Sequence, residues 1–197
     1  MQKNPYICVE LDHIYRQNDE NFIRILNQVR NNKLDRINAD ILNERYLPDF
    51  NPEDKDGYIT LTTHNSQADE INEQKLSAIK SKMLTFKAEI TGVFPENAYP
   101  TKENLELKVG AQVMFVKNDP SAEKLYYNGK IGKIVSYDKD EGIAVQCDDE
   151  MINVTPVKWQ NFEYTLNEET NEIEEKEIGS FTQIPLKTAW AITIHKS

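Results

Sequence analysis

An α/β body carrying an all-β insertion is the architecture these 197 residues predict. Two observations predict it. Up to about residue 85, apolar residues recur at helical spacing between short β-forming runs; beyond it the period falls to two and turn residues interrupt the chain every 8 to 12 residues. The final segment, 184–197, is apolar and β-branched and returns the chain to the α/β part. The length suffices for one medium domain or two small ones with a real core.

The elements follow in order. Ile7, Val9 and Leu11 alternate and predict a short strand. Tyr15, Arg16 and Gln17 then lead to Asn18 or Asp19, either of which suits a helix N-cap. Phe22, Ile25, Leu26 and Val29 stand at i, i+3, i+4 and i+7, so 19–31 is an amphipathic helix, with Arg30 suited to its last turn. Residues 34–46 carry a weaker helical pattern, and Pro48, Pro52 and Gly57 mark a loop. Residues 58–62 are β-formers, and Ala68, Ile71, Leu76 and Ile79 place a helix at about 67–82; with the polar turn between them, this is a strand–turn–helix unit.

Strand-like runs follow at 86–90, 113–116, 134–137, 143–146 and 152–157. Asn128-Gly129, Glu141-Gly142 and Asp148-Asp149 punctuate them, and the spacing predicts a small antiparallel barrel. Trp159 and Trp190 are expected in the core.

Charge narrows the function. The formal net charge is −10, which excludes a diffuse cationic coat for nucleic acid but leaves a local phosphate site open. Residues 161–178 hold seven glutamates and one lysine, net −6, so most of the acidity sits in one block. That block reads as a solvated hairpin arm whose charge discourages edge pairing, or as a docking surface for a basic partner. No run approaches a membrane span and no secretory leader is visible, so a cytoplasmic location without membrane association is expected. Two cysteines, Cys8 and Cys147, fit a reducing compartment.

The sequence carries no G-x-x-x-x-G-K-[ST], G-x-S-x-G or H-E-x-x-H, and no cysteine pair at metal spacing. His13, His64 and His195 lie too far apart to suggest zinc. Four segments remain. Arg16, at a strand-to-helix junction, could reach a ligand phosphate with its planar fork or be an ordinary surface arginine. Thr62-Thr63-His64-Asn65-Ser66, also between strand and helix, offers hydroxyls and free N–H groups to a phosphate, or simply caps a helix. Residues 108–119 with Tyr127-Asn128-Gly129 and Gly132 look like barrel strands and turns. In the last segment Thr193 and His195 project to one side if extended, and could hold a phosphate or end a buried strand.

Taken in order, these segments resemble the C-terminal half of superfamily 1 DNA helicases of the RecD-like and petite-integration-frequency-like branch. Ala189-Trp190-Ala191-Ile192-Thr193-Ile194-His195-Lys196-Ser197 resembles that family's motif V, and Tyr15-Arg16-Gln17 with Phe22 and Leu26 resembles its motif IV. Leu61 to Asn72 resembles the strand–helix unit that follows. Lys108 to Met114 with Asn128-Gly129 and Gly132 resembles the start of the inserted Src-homology-3-like barrel. The resemblance implies a RecA-like second motor domain over 1–100 and 183–197, incomplete, and a barrel with an acidic hairpin over 101–182.

It also implies roles. Arg16 would reach the γ-phosphate from the second motor domain, supported by Gln17. Thr62, Thr63, His64, Asn65, Thr193 and His195 would hold single-stranded DNA, and Lys196 would serve the strand or domain closure. ATP and Mg²⁺ would be held mainly by the N-terminal motor domain, absent here along with the P-loop, and none by this stretch alone. The parent would couple ATP hydrolysis to 5′-to-3′ movement, and the stretch alone would be inactive. Two other classes stay open: a non-catalytic protein-binding β-barrel module with an acidic docking arm, and an oligonucleotide-barrel binder. The latter calls for a basic, aromatic-studded sheet face, which Tyr126, Tyr127, Tyr137, Trp159 and Phe162 do not clearly form.

Overall fold

Residues 8–9, 17–50, 57–167 and 172–194 are described in the structure, a computed structural model. The strand expected at 7–11 lies outside the described residues except for Cys8 and Val9. The chain forms two units, Met1–Pro52 and Glu53–Ser197.

The first unit holds helices α1 (Glu20–Arg30) and α2 (Arg36–Asn43). Asp19 caps α1 as expected, its carboxylate accepting from the N–H groups of Asn21 and Phe22 at 2.9 and 3.0 Å. Asp35 caps α2 through the N–H of Asn38 at 2.8 Å. The Gln28 amide joins the two helices: it donates to Asp35 and accepts from the Asn38 amide. The Asn38 N–H and then Gln28 hold the Asp35 carboxyl below its ordinary value.

The second unit contains β1 (Thr60–Thr62), α3 (Asn65–Ala78), β2 (Met83–Lys87), β3 (Glu89–Gly92), β4 (Asn104–Lys108), β5 (Gln112–Phe115), β6 (Ile131–Asp138), β7 (Gly142–Cys147), β8 (Glu150–Val154), β9 (Val157–Asn167), β10 (Glu172–Gln183), β11 (Leu186–Thr188) and β12 (Ala191–Thr193). Strands β1 and β12 pair in parallel. Five antiparallel strands run in the order β11-β5-β6-β7-β8, three in the order β3-β10-β9, and β2 pairs with β4. The chain is thus mixed α/β, with an all-β region after α3. Among the described residues the five-stranded sheet is open, with no pairing that closes it into a barrel.

Alternation puts Ile143, Val145 and Cys147 of β7 and Ile152 and Val154 of β8 on one buried face. They meet Val113, Phe115, Ile134, Leu186 and Trp190, and Leu76 adds α3 to the same core. Phe115 stacks on Tyr126 with ring centroids 4.2 Å apart. Trp190 is buried as expected; Trp159 is half-buried, with the Lys117 ammonium over its ring at 4.8 Å and the Phe181 ring against its edge.

Two expected boundaries shift. Helix α3 ends at Ala78 rather than near 82, because Ile79 turns extended and the Lys108 ammonium caps the helix end, donating to the Ile79 carbonyl at 2.6 Å. Asn128-Gly129 does not form a two-residue hairpin. It closes the longer connection between β5 and β6, where the Gly129 N–H bonds to the Phe115 carbonyl at 2.9 Å.

Candidate functional site

The site is built from two strand ends and one helix start. The parallel register places Thr60 opposite Ala191, Leu61 opposite Ile192 and Thr62 opposite Thr193. Both strands therefore end together, and α3 begins three residues after β1. In α/β folds such carboxyl ends of parallel strands are where ligands bind. The helix N-terminus adds partial positive charge and unpaired N–H groups. His64, the N-cap of α3, makes no side-chain capping bond, so the first-turn N–H groups are not taken up by its ring.

The threonine hydroxyls are not equivalent. Thr62 is buried and donates to the His64 carbonyl at 3.0 Å, which tightens the turn into α3; a longer 3.4 Å approach runs to the Ile192 carbonyl of β12. The exposed Thr63 hydroxyl lies 2.8 Å from His64 Nδ1, which orients the ring. Asn65 is exposed at the first turn of α3. Thr193 is buried beside Thr62. Thr62, Thr63, His64, Asn65 and Thr193 are thus brought together. Gln17 belongs to the other unit, where its side-chain amide oxygen Oε1 accepts from the N–H groups of Asn18 and Asp19, both at 3.0 Å, just ahead of α1. Arg16, His195 and Lys196 lie outside the described residues.

Two buried amides position the site, and the sequence reading did not single out either. Asn72 accepts from the N–H groups of Trp190 and Ala191, both at 2.9 Å, and donates to the Ala191 carbonyl at 2.8 Å. Gln112 donates to the Ala189 carbonyl at 2.9 Å and the Tyr58 carbonyl at 3.1 Å. Together they pin the crossing from β11 to β12, and so set where Thr193 stands against Thr62. The available signal for Asn72 was its place between Ala68 and Leu76 at four-residue spacing: an amide in an apolar stripe needs buried partners.

A cleft of about 540 Å³ opens beside the strand ends, with Asn65, Asn72, Tyr99, Thr101, Lys102 and Thr193 among its lining residues. Its walls also carry Asp69, Glu73, Glu96 and Glu106, with Lys102 3.4 Å from Glu73. An anion is therefore favoured at the strand ends and the helix start rather than deep in the cleft. No helix among the described residues is long and apolar enough to cross a membrane.

No protein-family model matches the chain. Individual proteins do. The Pif1 ATP-dependent DNA helicase of Bdellovibrio bacteriovorus is 29% identical over 197 residues, covering 96% of this chain and 41% of that protein. Human PIF1, also an ATP-dependent DNA helicase, is 29% identical over 202 residues, covering 97% of this chain and 29% of that protein. Bacteroides Pif1 crystallised with ADP-AlF4 superposes with a TM-score of 0.83 at 38% identity, covering 94% of this chain and 42% of that one. Bacteroides Pif1 bound to single-stranded DNA superposes with a TM-score of 0.63 at 39% identity, covering 96% of this chain and 42% of that one. The chain thus spans well under half the length of these relatives. The resemblance to Pif1-like superfamily 1 helicases extends along nearly the whole of it.

Proposed function

We propose that this chain, similar almost throughout to Pif1-family DNA helicases, supplies the single-strand contacts of an ATP-dependent 5′-to-3′ DNA helicase. The observation that carries the reading is the parallel register of Thr62 and Thr193 at the start of α3. It gathers hydroxyls, an imidazole and helix N–H groups where a phosphate would gain most.

In this reading Thr62, Thr63, His64 and Asn65 hold the backbone from one strand end, and Thr193 and His195 from the other. Lys196 serves the strand or domain closure. Arg16, with Gln17, reaches the nucleotide cleft and stabilises charge on the transferred phosphoryl group. ATP and Mg²⁺ are held mainly by a first motor domain, so this stretch hydrolyses nothing alone. Residues 1–100 with 183–197 form the RecA-like motor part, and 101–182 the Src-homology-3-like insertion with its acidic hairpin. The crossing at Ala189 and Trp190 from the five-stranded sheet to the parallel pair supports an insertion that leaves and rejoins the motor part.

The test is made in the parent chain. Thr193→Ala with His195→Ala is expected to weaken single-strand binding by about tenfold or more, since each bond to a charged group is worth roughly 1.5–3 kcal/mol. Unchanged binding overturns the assignment. Arg16-dependent ATP hydrolysis by this stretch alone overturns its predicted inactivity.

A further inference from the structure

Beyond the residues that β3 covers, β9 and β10 continue as a two-stranded arm. β3 pairs only with 179–182 of β10. From 162 to 167 and from 172 to 177 the strands pair with each other and, among the described residues, with no third strand. Residues opposite one another project to the same side. Tyr164 faces Glu175 and Leu166 faces Ile173, so these four share one face with Phe162 and Glu177. Glu163, Thr165, Asn167, Glu172, Glu174 and Lys176 share the other. The arm is thus amphipathic, yet its apolar face is uncovered: Tyr164 is 62%, Leu166 59% and Ile173 71% exposed. A lone two-stranded ribbon gains little stability from such a face, which makes it a surface kept for a partner.

Charge selects the partner. The twelve arm residues hold five glutamates against Lys176: Glu175 and Glu177 flank the apolar face itself, Glu177 in an ion pair with Lys158, and Glu163, Glu172 and Glu174 lie on the opposite face. That sign repels nucleic acid, an anionic lipid surface and a second copy of the arm. We propose that the Tyr164–Leu166–Ile173 face docks a protein surface with an aliphatic centre and a rim of lysine or arginine.

The test uses the whole chain and three synthetic ten-residue peptides alternating Lys with Leu, Glu with Leu, and Lys with Ser, followed by amide NMR. The Lys/Leu peptide is expected to shift the signals of Tyr164, Leu166 and Ile173. Its affinity should fall about tenfold or more in Leu166→Thr/Ile173→Thr, which loses two aliphatic contacts but keeps strand-forming residues. Tyr127→Ser, on an exposed tyrosine outside the arm, should leave it unchanged. Glu175→Lys keeps the aliphatic face, and should weaken the Lys/Leu peptide and strengthen the Glu/Leu one. Equal binding of Lys/Ser and Lys/Leu peptides overturns the proposal, as does equal binding of the Glu/Leu peptide. Oligo-dT shifting the same signals, or self-association abolished by the double threonine variant, overturns it in favour of nucleic acid or a second copy.

Discussion

The five-stranded sheet and the β9–β10 arm use the same alphabet to different ends. In β7 and β8, alternate residues Ile143, Val145, Ile152 and Val154 are at most 1% exposed. In the arm, Tyr164, Leu166 and Ile173 alternate in the same way and remain more than half exposed. Period two tells which side chains share a face; whether that face is covered depends on what the rest of the chain lays over it. The sheet has Leu76 of α3 against its inner face, and Tyr126 of the β5–β6 connection stacked on its Phe115. Without such a cover, the arm contributes surface chemistry rather than stability.

The sharpest way to break this contrast is to truncate one aromatic or aliphatic side chain in each region. Phe115→Ala removes a fully buried ring and its stacking partner's contact, and should cost about 3–5 kcal/mol in urea unfolding. Leu166→Thr should change stability by no more than about 0.5 kcal/mol. Comparable losses at the two sites would mean that the arm is buried in solution.

Legibility in the sequence follows the same division between local and distant causes. Helix α1 could be read because Phe22, Ile25, Leu26 and Val29 and the Asp19 cap lie within one short window. The acidic hairpin could be read because its charges and alternation are local. The end of α3 could not, since the Lys108 ammonium that caps it arrives from another strand. Spacing likewise could not join Thr62 to Thr193, because their register is set by chain crossings far apart in sequence. Only the resemblance of motif order linked those two segments. The positioning role of Asn72 shows fully only when its partners Trp190 and Ala191 fold over it.

Asn72 offers a second, smaller test: whether the α3–β12 junction depends on polar bonds as the sheet depends on apolar burial. Asn72→Leu matches the apolar stripe of α3 but leaves the Trp190 and Ala191 N–H groups buried without their acceptor. The expected loss is about 2–3 kcal/mol. Hydrogen exchange should quicken first at those two amides, while the amides of β7 stay protected until global unfolding. Uniform acceleration across β7 and β12 would show that the junction and the sheet open as one unit.

An effect smaller than those at Phe115 and Asn72 is expected at Asp119, which anchors the 116–130 connection. Its carboxylate is buried and accepts from the Ser121 and Leu125 N–H groups, both at 2.8 Å. Burial alone would raise its pKa, but the Ser121 and Leu125 bonds and the nearby Lys124 ammonium outweigh it and hold the group below the ordinary value of 3.8. A carboxyl lowered in the folded state stabilises fully above its unfolded pKa and loses that contribution as pH falls through the folded one. Asp119→Asn keeps one carbonyl acceptor and turns an amide against the other N–H, so it should cost about 1 kcal/mol near neutral pH. Below about pH 4 the gap between the native chain and Asp119→Asn should narrow steadily, because protonation takes from the native chain what the substitution has already removed. A gap that stays constant from pH 7 to pH 3 would mean that the carboxylate charge plays no part in holding the connection.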